Sequence, residues 1–104
     1  MHIVVFVTAK DKAEAERIAR GLLEDKLVAC VNILDGVKSM FWWEGKVDQS
    51  PEALLILKSR KDRFSHIVKK VKSLHSYDLP EIIAMPIVEG SEDYLDWIDS
   101  SVQG

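Results

Sequence analysis

The 104-residue chain reads as strand, helix, strand, strand, helix, strand and a final helix, an order that predicts an α+β sandwich of the split-βαβ, ferredoxin-like kind. Three observations carry that expectation. Apolar runs at 3–7, 27–33 and 53–59 have the length and the β-branched composition of strands. The stretches 11–26 and 60–74 repeat their apolar residues at helical spacing. Each helix stands between two strands, so right-handed crossovers put both on one face of a four-stranded antiparallel sheet. The length fits one domain spanning residues 1–104.

The first run, IVVFV (3–7), has no polar alternation and predicts a strand buried on both faces. Asp11 followed by Glu14 has the spacing of a capping box, and Ala15, Ile18, Ala19 and Leu22 then form an apolar stripe. Gly21 costs this helix about 1 kcal/mol against alanine, so packing has to hold that end. LVACVNI (27–33) is the second strand, LDG (34–36) a bend or bulge, and VKSMFWW (37–43) a renewed extended path. EGKVDQSP (44–51) carries the chain around to the third strand, ALLILKS (53–59). In the second helix Phe64, Ile67, Val68, Val71 and Leu74 line one face. Pro80 forbids further helix, and EIIAMPIVE (81–89) is the fourth strand, placed at an edge by Pro86. Gly90 and Ser91 end it and cap a last helix with Leu95, Ile98 and Val102 inward.

Composition removes several function classes. A formal net charge of −3 gives no electrostatic case for nucleic acid. The opening MHIVVFVTAKD has too short an apolar run for a membrane span and lacks a basic leader. A single cysteine, Cys30, forms no intrachain disulfide, which fits a reducing cytoplasm. There is no glycine-rich phosphate loop and no nucleophile elbow, so enzymatic turnover is not expected.

The run FWWEGKV (41–47) shows how the chain hides its surface. Strand side chains alternate, so Phe41 and Trp43 point one way and Trp42 the other. A split-βαβ domain has helices on one sheet face only. Each large ring left in water forfeits roughly 1.5–3 kcal/mol, and several such losses rival a domain's ~5–15 kcal/mol of stability. Either another copy of the chain covers the open face, or the last helix does so with Tyr94 and Trp97.

LVACVNI, FWWEGKV, ALLILKSR, HSYDLPEII and YLDWI together resemble the CutA family of divalent-cation tolerance proteins, in order and spacing over nearly the whole chain. The resemblance implies a homotrimer, with Phe41, Trp42 and Trp43 at the subunit interface. It also implies a cytoplasmic location and an association with copper and other divalent metals. The family's likeness to PII-type regulatory trimers implies clefts between subunits.

Two sets of residues are candidates for chemistry. HSYDLPE (75–81) gathers polar groups just past a helix C-terminus, where cations are favoured. The expected ligands for Cu²⁺ or another divalent cation are His75, Cys30, Asp78 and Glu81, since one imidazole, a thiolate and carboxylates suit a borderline metal. Against this, His75 ends the apolar stripe and its ring can simply pack, while a strand-interior Cys30 behaves as a small hydrophobe. Ser76 stands where the family usually has proline, and Val7 where some members carry a cysteine. The second set, Trp43, Glu44, Lys58 and Tyr77, would line an inter-subunit cleft for a small anionic ligand, as in a PII-like regulator. His66, beside the helix stripe, is expected to face solvent and His2 lies near the terminus, so neither is expected to be a ligand.

Overall fold

The computed structural model describes residues 1–103. Its elements are β1 (His2–Ala9), α1 (Lys12–Glu24), β2 (Cys30–Trp43), β3 (Lys46–Arg60), a 3₁₀ turn (Lys61–Arg63), α2 (Phe64–Leu74), β4 (Ile82–Pro86) and α3 (Glu92–Ser101). The strands form one antiparallel sheet in the order β2-β3-β1-β4, the split-βαβ arrangement.

The sheet's alternation places the core. Ile3, Val5, Val7 and Ala9 of β1 and Ala53, Leu55 and Leu57 of β3 are buried beneath α1 and α2. The helices contribute Ala15, Ile18, Ala19, Leu22, Ile67 and Val71, the stripes expected from spacing. Gly21 lies where α1 meets α2: a Cβ there would stand 2.7 Å from Leu74 Cδ1. The glycine whose helix-propensity cost needed offsetting therefore gives α2 room to approach.

The opposite face carries Val4, Phe6, Leu54, Ile56 and Lys58, all only partly buried. α3 packs on β3 at one end of this face, with Tyr94 near Cys30. Tyr94 and Trp97 stack at 5.4 Å, yet both stay more than a third exposed. Ile83, Met85 and Val88 remain open as well, so α3 does not cover the face.

Three boundaries differ from expectation. β3 begins at Lys46, not Ala53, because the turn is only Glu44-Gly45, both at positive φ (51° and 78°). That is the two-residue hairpin geometry matched to strand twist. Pro51 is tolerated inside β3 because β1 ends opposite Ala53, so beyond that point β3 pairs with β2 alone and one edge is free. β2 is continuous from Cys30 to Trp43, with the expected bulge between Leu34 and Val37 and Gly36 at φ 72°. β4 is shorter than expected, and Pro86 does lie on an edge strand. The hairpin thus overhangs the sheet, and the molecule measures 44 × 26 × 22 Å.

Candidate functional site

The site begins at the exit of α2. The His75 backbone N–H caps the helix on the Val71 carbonyl at 2.9 Å, and its ring turns inward, wholly buried. Nδ1 accepts a hydrogen bond from the Tyr77 amide at 3.0 Å. That leaves Nε2 to carry the proton, and it donates to the Thr8 carbonyl at 2.7 Å. Both ring nitrogens are therefore engaged within the fold.

Beside the imidazole lies Glu14, which the sequence presented only as a capping residue. Asp11 does cap α1, accepting from the Glu14 amide at 2.8 Å. The reciprocal bond of a capping box is absent. The Glu14 carboxylate accepts instead from the Lys10 and Ser76 amides, each at 3.0 Å, and lies 3.8 Å from His75 Nδ1. Burial pushes its carboxyl up, but the Ser76 and Lys10 bonds outweigh burial, leaving it below the ordinary 4.5. Glu14 thus ties the start of α1 to the end of α2. Its signal was visible in hindsight: an acid opening a helix whose stripe faces the core.

Tyr77 extends from this anchor. Its ring lies 4.8 Å from that of His75, and its hydroxyl donates to Glu52 Oε2 at 2.9 Å. Burial, then the adjacent Glu52, push the phenol up to about 12. The same Glu52, after burial, also pushes the Glu81 carboxyl up. These groups border a hollow of about 760 Å³ beneath the β2–β3 hairpin, lined by Phe41, Trp42, Trp43, Tyr77, Asp48, Glu52, Asp78 and Glu81 among others. Its lining contains no Lys or Arg.

Of the expected metal ligands, Asp78 and Glu81 line this hollow and His75 sits behind it, its nitrogens occupied. Cys30 lies elsewhere, opposite Lys58 on the sheet and near Asn32 and Tyr94. Among the described residues no three of His, Cys, Asp and Glu stand close enough to hold a metal together. The expected anion cleft is divided in the same way. Trp43 and Tyr77 line the hollow, while Glu44 occupies the hairpin turn. The Lys58 ammonium bonds to Asn32 Oδ1 and lies 3.9 Å from Cys30 Sγ.

Fold and site together define a small split-βαβ protein with an overhanging hairpin and an acid-lined hollow. Residues 3–101 match the CutA1 divalent ion tolerance protein family. The divalent-cation tolerance protein CutA of Archaeoglobus fulgidus is 48% identical over 99% of this chain and 100% of its own length. That of Thermus thermophilus is 43% identical over 94% of this chain and 95% of its own. Among solved structures, the Archaeoglobus protein, there named a periplasmic divalent cation tolerance protein, superposes with a TM-score of 0.96 over 99% of this chain and 100% of its own. The Thermus structure gives 0.97 at 41% identity, again over 99% and 100%. This chain belongs to the CutA1 family.

Proposed function

We propose that the chain acts as a cytoplasmic homotrimer that binds a divalent cation, Cu²⁺ among them, and supports divalent-cation tolerance without catalytic turnover. One observation carries the reading: the hollow under the hairpin is bordered by Asp48, Glu52, Asp78 and Glu81 with no basic residue in its lining. An anion would meet only like charge there, which argues against a PII-like anionic ligand. The names of the relatives concern divalent-cation tolerance, in agreement with a cationic occupant. Asp78 and Glu81 are the donors this reading takes from one chain, the remaining donors coming from a neighbouring subunit. His75 supports them by fixing Tyr77 through its amide, as groups behind a metal site commonly do. An oxygen-rich set suits harder divalent ions at least as well as copper. The homotrimer is supported by the exposed rings of the hairpin, Trp42 at 74% and Trp43 at 56%. The lone Cys30 agrees with a reducing cytoplasm, while the Archaeoglobus relative is named periplasmic, so fractionation of the source cell decides the compartment.

Titration calorimetry with Cu²⁺, Zn²⁺ and Mn²⁺ tests the site. Saturable binding is expected in the native chain, weakened at least ten-fold in Asp78→Asn with Glu81→Gln and retained in Cys30→Ser. Binding unchanged in the carboxylate variant, or lost in Cys30→Ser, overturns this assignment.

A further inference from the structure

We propose that the hollow beneath the hairpin also binds a small organic ammonium ion, recognised by aromatic faces and carboxylates together. The strand register decides which rings face inward. Residues opposite each other across a ladder share a sheet face. Val37 lies opposite Glu52, Phe41 opposite Asp48 and Trp43 opposite Lys46. Phe41 and Trp43 therefore stand on the face of Glu52 and Asp48, while Trp42, opposite Val47, stands on the other strand face although it too borders the hollow. Tyr77 closes the same space from the loop after α2, held on Glu52 by its hydroxyl.

The charge of the hollow is unbalanced. Among the described residues Asp48, Glu52, Asp78 and Glu81 form no ion pair, although the acids Glu14, Asp25, Asp62 and Asp99 elsewhere do. The four carboxyl groups border one hollow, so an entering cation is attracted by all of them. A bare metal ion gains from the carboxylates and little from the rings. An alkylammonium ion gains from both, because its polarised C–H groups rest on the negative ring faces while its charge is met by the acids. The volume, about 760 Å³, lies within the range of small-molecule sites.

This inference goes beyond metal binding and is tested apart from it, by calorimetry with a chelator present. The probe is tetramethylammonium chloride, set against caesium chloride, a cation without C–H groups, and tert-butanol, a neutral molecule of similar shape. Saturable binding of tetramethylammonium at least ten-fold tighter than either control is expected. Phe41→Leu and Glu52→Gln each weaken it at least five-fold, and His66→Ala, outside the hollow, changes it less than two-fold, circular dichroism confirming that each variant folds. Equal binding of caesium or tert-butanol, or no saturable binding by the folded native chain, overturns the proposal. So does an unchanged affinity in Phe41→Leu. Metal binding measured without the chelator stands or falls independently.

Discussion

The hydroxyl of Tyr77 donates to Oε2 of Glu52 across 2.9 Å, tying the loop after α2 to β3 just where β3 runs past the end of β1. Glu52 is largely buried although it lies in the overhanging part of the strand. A hydrogen bond to a buried charged group contributes about 1.5–3 kcal/mol. Tyr77→Phe is therefore expected to lower unfolding stability by about that amount. In a Glu52→Leu background the same change should cost less than half as much. Urea titrations at fixed protein concentration complete the cycle, and equal costs in both backgrounds would show that the bond contributes nothing.

Two carboxyls give opposite pH dependences. Glu14 is held below its ordinary 4.5, so its contribution is present above that value and is lost as pH falls through the folded value. Glu81 is raised, so the folded state retains its proton where the unfolded chain has released it, and stability is lost as pH rises through that window. Glu14→Gln should thus cost about 1–3 kcal/mol at pH 7 and distinctly less at pH 3. Glu81→Gln should be neutral at pH 3 and stabilising at pH 7. Denaturation at the two pH values checks both signs.

The fold was legible because its signals are strong and local. The stripe of Ala15, Ile18, Ala19 and Leu22 and the apolar runs of β1 and β3 have one physical solution, burial between helices and sheet. The early start of β3 was hidden because residues 46–52 are polar and include Pro51, a composition tolerated only where one strand edge is free. The site was less legible for a related reason. Asp78 and Glu81 lie in the quoted HSYDLPE run, but Asp48 and Glu52 reach the hollow through cross-strand register, which no single stretch displays. His75 drew notice as a ligand type, yet its environment is set by Thr8 and Glu14, distant in sequence.

The hairpin turn stores avoidable strain. Glu44 sits at φ 51°, a left-handed conformation that costs a residue with a Cβ roughly 1 kcal/mol, whereas asparagine enters it more readily. Glu44→Asn creates the Asn-Gly pair that two-residue turns prefer. It is expected to raise stability by about 0.5–1 kcal/mol without altering the secondary structure. Gly45→Ala, at φ 78°, should lower stability by a similar amount. Paired thermal melts of the two variants test the turn directly.

The hairpin rings decide whether the chain is complete alone. Trp42, Trp43, Met40 and Val47 are all more than half exposed at one end of the molecule, more apolar surface than a solitary domain usually presents. Trp42 is the sharpest probe because it is the most exposed of these residues, at 74%. Trp42→Glu sets a charge among those rings, and burying it unpaired would cost several kcal/mol per copy. The native chain is expected to scatter light at about three times its 11.8 kDa mass, and Trp42→Glu at a lower mass that falls further on dilution. Since the ring contributes nothing to the buried core of one copy, the variant should keep its circular dichroism. A folded native chain that stays monomeric at micromolar concentration would show that the rings serve another partner.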